Sequence, residues 1–274
     1  MKELIRTFQE LQAASRWDID FHLEPEGIKL FKRGVLKRVD EVASIAKGKR
    51  NPTLKPDEEF KYIDISSIDV VVGQIASNQE LLGSEAPSRA RKVVQAYDVI
   101  VSTCRPTRGA IAVVPVELHN QIASTGFSII RPNENTNPYY LHYALRLSST
   151  LEQFRKWSTG SSYPAILDED VEKTLIPVPD TETQNIIAEI VSVGLKKRAE
   201  VIAAANAVWS KTIDSITDSV ANETPVIALH ENGKDYKLEV IRATLQKLPA
   251  LIVDNGRNKD QVDAFEDCEE LEKE

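Results

Sequence analysis

Residues 180–224 contain no proline, and within them Ile187, Ile190, Val191, Gly194, Val201, Ala205, Val208, Trp209, Ile213, Ile216 and Val220 recur at spacings of three and four. That period is the helical one, so a single long amphipathic helix is predicted. Its start is marked by Pro179-Asp-Thr181-Glu-Thr-Gln184, in capping-box form, with a hydroxyl at the cap and an amide acceptor three residues on. About 38 residues of helix would measure roughly 57 Å at 1.5 Å per residue. A stripe of that length has two readings: it lies on its own domain, or it pairs with a helix from another chain. The length favours the second. The candidate interface residues are Ile187, Ile190, Val191, Val201, Val208, Trp209, Ile213 and Ile216.

Upstream, the 274-residue chain has room for one large domain with appendages, and 42% hydrophobic residues supply a core. No window approaches the roughly 18 apolar residues of a membrane span, so no membrane association is expected. The charged N-terminus, Met1-Lys-Glu-Leu-Ile-Arg6, does not read as a signal peptide. Cys104 and Cys268 lie far apart without metal-ligand spacing, which fits a cytoplasmic protein. The net charge of −8 is unevenly placed. Residues 1–180 carry 23 Lys/Arg against 24 Asp/Glu, whereas residues 222–274 carry 7 against 13. The main domain is thus neutral overall, and an anionic partner such as DNA requires a local basic face or a helper subunit.

Residues 1–16 are expected to hold a short helix, with Leu4, Ile5, Phe8 and Leu11 on one face. Val35, Leu36, Val39 and Val42 predict a second helix over 35–46, followed by a polar loop over 47–59. From Phe60 to Arg131 the texture is β-rich: Tyr62-Ile-Asp-Ile, Val70-Val-Val, Val99-Ile-Val, Ala110-Ile-Ala-Val-Val and Phe127-Ser-Ile-Ile, with a polar loop over 78–92. Residues 138–157 return to helical spacing. The mixture predicts an α+β fold. One globular domain over 17–179, a mixed twisted β-sheet with flanking helices, precedes the coiled-coil-forming helix over 180–221. Residues 222–259 read as a small appended unit, and 260–274 as an acidic, disordered tail. No internal repeat is found.

Signatures of catalysis are weak. Asn137-Pro-Tyr-Tyr140 resembles an adenine-methyltransferase motif but lacks its second proline and an upstream glycine-rich loop. Asn137 as helix cap and Pro138 as first helical residue explain it better. Asp40 with Glu59-Phe60-Lys61 faintly matches a metal-dependent nuclease, a pattern common by chance. His22, His119, His142 and His230 have no paired ligand spacing, and His142 in an apolar helix reads as packed. The chain therefore reads as a non-catalytic binder, with neither metal nor cofactor of its own.

A resemblance sharpens that reading. Tyr62-Ile-Asp-Ile-Ser-Ser-Ile-Asp69, Ala86-Pro-Ser-Arg-Ala-Arg91, Asp98-Val-Ile-Val-Ser-Thr-Cys-Arg-Pro106, Ala123-Ser-Thr-Gly-Phe127, Gly160-Ser-Ser-Tyr-Pro-Ala-Ile166 and Ile176-Pro-Val-Pro-Asp-Thr-Glu-Thr-Gln184 occur in the order found in specificity subunits of type I restriction–modification systems. Six blocks in order, with the long helix after them, resemble a target recognition domain and its conserved-region helix. The resemblance implies a subunit that reads double-stranded DNA and carries bound adenine-N6 methyltransferase subunits. S-adenosylmethionine would sit on those partners, and a restriction subunit can join. Such subunits usually hold two recognition domains and two helical spacers, and here one of each is read. Pairing head to tail with a second copy would impose a bipartite, palindromic site; pairing with another half-subunit would make the site asymmetric.

Candidate DNA contacts are the cations of the polar loops, Lys47, Lys49, Arg50, Arg89, Arg91 and Lys92, because Lys and Arg meet phosphates and guanine edges. A solvated charged surface is the competing reading. Arg105 and Arg108 sit in a block shared by relatives that read different sequences, so structure or phosphate contact suits them better than base readout. Ser161, Ser162 and Tyr163 offer hydroxyls and a ring, or merely a turn. The alternatives to a specificity subunit are a stand-alone DNA-binding regulator and, further off, a metal-dependent nuclease.

Overall fold

The computed structural model of the chain describes residues 5–14, 17, 19–23, 25–160, 162–222 and 243. In chain order the elements are α1 (Phe8–Ala14), α2 (Ile19–His22), β1 (Leu36–Arg38), α3 (Val39–Val42), β2 (Ala43–Ile45), β3 (Glu59–Ile63), β4 (Ile68–Asp69), β5 (Gln74–Ile75), β6 (Gln79–Leu82), β7 (Ala90–Val93), β8 (Val99–Ser102), β9 (Ile111–Val113), β10 (Ile122–Ser124), β11 (Phe127–Pro132), α4 (Pro138–Leu145), α5 (Ser148–Trp157), α6 (Asp168–Glu172), β12 (Leu175–Pro177) and α7 (Thr181–Ala221). The chain divides into two units, residues 1–197 and 198–274, with the division inside α7. The appended unit, the acidic tail, His230 and Cys268 expected from the sequence lie outside the described residues.

In the first unit the strands form two four-stranded sheets, β2-β11-β8-β9 and β6-β3-β10-β7, with two-stranded ribbons β1-β12 and β4-β5. The first sheet is antiparallel, and the second is mixed because β3 and β10 run parallel. Successive strand residues point to opposite faces, and here both faces are covered. Val99, Val101, Ile111 and Ile130 pack against Tyr140, Leu141, Ala144 and Leu145 of α4 and Phe154 of α5. Ile100, Ala112, Phe127 and Ile129 meet Ile63 and Ala123 from the second sheet and Val94 just after β7. A strand buried on both sides must be apolar throughout, which is why Val99-Ile-Val reads as an unbroken run. Each such side chain, fully buried, contributes about 2 kcal/mol. The α+β expectation therefore holds, with two sheets in place of one.

Several local expectations are corrected. Over 35–46 only α3 is α-helical. Leu36–Arg38 pairs antiparallel with Leu175–Pro177, and Ala43–Ile45 pairs with β11. Long-range ladder bonds override a local helical spacing. Val70-Val-Val is the tip of the β4-β5 hairpin, not a strand, with Val71 73% exposed. Gly73 forces the turn at φ +71, where an added Cβ would lie 2.5 Å from the Ile111 carbonyl oxygen and from His142. The polar stretch 78–92 contains β6 and β7. Residues 138–157 split into α4 and α5, and Asn137 caps α4 as expected, accepting from the Tyr139 and Tyr140 amides at 3.0 and 3.3 Å.

His142 is buried, its Nε2 3.2 Å from the Ile111 carbonyl oxygen. A carbonyl only accepts, so Nε2 carries a proton toward it. Burial, reinforced by nearby Arg146, lowers its pKa to about 4 from 6.5. Between those values the unfolded chain takes up a proton that the folded chain refuses, so this stability is lost as pH falls from 6.5 toward 4. The expected loss is about 3 kcal/mol at 1.36 kcal/mol per pKa unit. Urea unfolding of wild type and His142→Gln should show their difference changing by that amount over the window; a constant difference would refute it.

No helix among the described residues is long and apolar enough to cross a membrane.

Candidate nucleic-acid interface

The two cationic loops meet in space. Lys49 forms a β-bridge with Lys92, the Arg50 amide donates to the Arg91 carbonyl at 2.9 Å, and the Val93 amide donates to the Gly48 carbonyl at 3.0 Å. Segments 47–50 and 89–93 thus run side by side although 38 residues of sequence separate them. A cleft of about 330 Å³ opens beside them, lined by Lys49, Arg50, Asn51, Leu54, Lys55 and Phe60 among others. The loop is braced: an added Cβ on Gly83 would lie 2.1 Å from the Lys55 carbonyl oxygen, a separation only glycine permits.

The six loop cations differ in what holds them. Lys92 is half-buried; its Nζ donates to the Phe127 carbonyl at 2.6 Å and lies 3.7 Å from the Asp168 carboxylate. Arg91 donates to the Ala90 and Pro87 carbonyls, and Arg50 to that of Asn120. Those three cations brace backbone, Lys92 most completely. Lys47, Lys49 and Arg89 are exposed, and their side chains are held by no described residue.

A second convergence joins two blocks further apart. The Arg105 amide donates to the Pro164 carbonyl at 2.7 Å, the Ile166 amide to that of Thr103 at 3.0 Å, and Cys104 bridges Ala165. The Arg105 guanidinium lies 5.0 Å from the centroid of the Tyr163 ring. Arg105 adopts the left-handed conformation, φ 46 and ψ 52, at a cost of about 1 kcal/mol for a non-glycine residue. Arg108, Ser162 and Tyr163 are exposed; Ser161 lies outside the described residues. Cys104 is an exposed free thiol beside them.

Residues that the sequence reading passed over hold this face together. Arg146, which caps the C-terminus of α4, donates to the Gly109 carbonyl and, at 3.0 Å each, to those of Val70 and Val71, tying the 105–109 turn to the hairpin tip. A lone arginine at the end of an apolar helix was the available signal. The nuclease-like residues go elsewhere: Asp40 pairs with Arg38 at 2.6 Å and Lys61 with Glu80 at 3.5 Å. Among the described residues, no three His, Cys, Asp or Glu side chains are grouped to hold a metal ion.

The long helix begins on this unit. Asp180, not Thr181, is its cap, accepting from the Thr183 amide and hydroxyl at 2.9 Å each, and those bonds hold its carboxyl below the usual range. A carboxylate at a helix N-terminus outcompetes a hydroxyl. Gln184 is therefore released from the capping role. Buried, it accepts from the Asn137 amide at 3.0 Å and donates to the Pro179 carbonyl at 2.9 Å, locking α7 to α4. Ile187 packs, partly buried, on the core of its own unit and Val191 is half-buried, so these first turns of the helix lie on the domain. Ile190, Val201, Val208 and Trp209 are 62–66% exposed. Ile213 and Ile216 are each 41% exposed.

The sequence model of the type I restriction modification DNA specificity domain matches residues 35–203, more than half of the chain. The chain belongs to this family. It is 32% identical over 111 residues to the HindI specificity subunit of Haemophilus influenzae, covering 39% of this chain and 24% of that one. With the MjaIX specificity subunit of Methanocaldococcus jannaschii it shares 23% over 184 residues, 65% of this chain and 41% of that protein. The crystal structure of the HsdS subunit from Thermoanaerobacter tengcongensis superposes with a TM-score of 0.55 at 38% identity, over 72% of this chain and 51% of that subunit. The chain thus spans about half the length of the solved subunit and less of the two curated relatives. The family's match covers all the elements from β1 to the first half of α7, including both convergent faces described above.

Proposed function

We propose that this chain is the DNA-reading subunit of a restriction–modification assembly, working in the cytoplasm without a catalytic centre or cofactor of its own. It binds one half of a bipartite site through the paired loops bearing Lys47, Lys49 and Arg89 and through the Arg105–Tyr163 edge. The exposed stripe of α7 pairs with the same stripe of a second copy, which supplies the other half-site, and the pair carries adenine-N6 methyltransferase subunits that bind S-adenosylmethionine. A restriction subunit joins the same assembly. The observation that carries this reading is the family match across 35–203, which spans the recognition unit and the root of the helix together.

A single-molecule map of N6-methyladenine across the native genome, with the gene present and deleted, tests it. Loss of one bipartite motif on deletion is expected. A palindromic motif supports the self-pair, and an asymmetric one replaces the second copy with a different half-subunit. An unchanged methylome, with the neighbouring methyltransferase shown to be expressed, defeats the reading in favour of a stand-alone regulator.

A further inference from the structure

The Arg105–Tyr163 edge combines four features that charge alone does not explain. Arg105 holds a left-handed backbone although it is not glycine. Its amide is anchored to the Pro164 carbonyl, which fixes the turn against the hairpin that carries Tyr163. That hairpin is itself set by Gly160 at φ +91, where an added Cβ would lie 2.9 Å from the Tyr163 carbonyl oxygen. Finally, the guanidinium carbon lies 5.0 Å from the centroid of a ring that is 50% exposed, and the arginine side chain forms no hydrogen bond or ion pair with a described residue.

A guanidinium over an aromatic ring spends no N–H donor on that contact, so its donors stay available to an acceptor, and the ring holds them at low entropic cost. The acceptor is anionic. No acidic residue occurs in 103–109 or 158–167, and Asp168, the next residue in the chain, is hydrogen-bonded by Ser128 and lies 3.7 Å from Lys92. On DNA the anionic acceptor is the backbone phosphate, which takes the larger share of protein–DNA hydrogen bonds and is present whatever the sequence. We infer that Arg105, held by Tyr163, is a clamp for one backbone phosphate, fixing register rather than reading a base. The inference rests on the DNA reading proposed above.

Binding of the full chain to a mixed-sequence duplex, followed by fluorescence anisotropy across about 20–200 mM salt, tests it directly, since a phosphate contact needs no particular sequence. Arg105→Ala should weaken binding about tenfold and lower the slope of log affinity against log salt by about 1 per copy. Arg105→Gly should do the same while relieving the left-handed strain, so misfolding cannot account for the loss. Tyr163→Ala should reproduce a large part of the defect, Tyr163→Phe should not, and Arg105→Ala with Tyr163→Ala should be no worse than Arg105→Ala alone. An unchanged slope in the arginine variants, or a slope that falls while Tyr163→Ala binds normally, overturns the clamp. A defect confined to one sequence makes Arg105 a base reader and overturns it equally. Absence of wild-type binding at the lowest salt overturns the clamp, whereas the DNA reading itself stands or falls by the methylome map above.

Discussion

Replacing Val208 and Ile213 together by aspartate is expected to turn the assembly into single chains while leaving the recognition unit folded. At 100° per residue Val201, Ala205, Val208, Trp209, Thr212, Ile213 and Ile216 fall within an arc of about 140°, and Glu200, Lys211, Asp214 and Asp218 lie opposite it. That is the pattern of a helix buried along one side, yet Val208 is 66% and Trp209 65% exposed. Large apolar side chains on one stripe are the anchors an interface uses, and a carboxylate in place of each would be desolvated without a partner. In a two-fold pair the double change puts four carboxylates into one interface. The dissociation constant should rise by more than about a thousandfold, at roughly 1.4 kcal/mol per factor of ten. Sedimentation should then report the single-chain mass, 30.6 kDa, in place of its double. The unfolding midpoint of residues 1–197 should not move, because neither side chain belongs to that unit. Assembly that survives at the same concentration would leave the stripe without the role proposed for it.

That helix was legible in the sequence because its signal is self-contained: the period lies within one segment, and no distant residue is needed to form it. Strand β8 was legible for a related reason, since burial on both faces demands an unbroken apolar run. The failures fall where distant partners decide. Val35 to Ala46 has helical spacing, but Leu36–Arg38 finds its ladder partner at 175–177, which no local window contains. Val70-Val-Val has strand composition, yet Gly73 turns the chain beneath it. For the candidate site, the charged loops could be read as loops, but not their pairing through Lys49 and Lys92. Nor does composition tell a lysine held by the Phe127 carbonyl from one left exposed, since both are simply cations in a polar stretch.

The other large effect is expected at Asp98, the first residue of the block running to Pro106. Its carboxylate is 2% exposed and takes both arms of Arg131, at 2.8 Å each, as well as the Gln95 amide at 2.8 Å. The pair fastens β8 to β11 at the mouth of the sheet that both cores share, and the paired carboxylate raises the arginine's pKa. Removing the arginine leaves a buried carboxylate with one amide donor. Breaking a buried pair this way costs about 3–5 kcal/mol, and because the Arg131 side chain is 39% exposed the lower figure is expected for Arg131→Ala. Arg131→Lys should recover little, as an ammonium cannot match the two-armed geometry. Arg131→Met combined with Asp98→Leu should be milder than Arg131→Ala alone, since it buries no unpaired charge. Equilibrium unfolding in urea separates these outcomes. A loss below about 1 kcal/mol for Arg131→Ala would mean that water reaches Asp98, and would reduce the pair to an ordinary surface contact. The expected ranking would make the start of that block a requirement of folding, with DNA contact left to its far end, where the chain turns through Arg105.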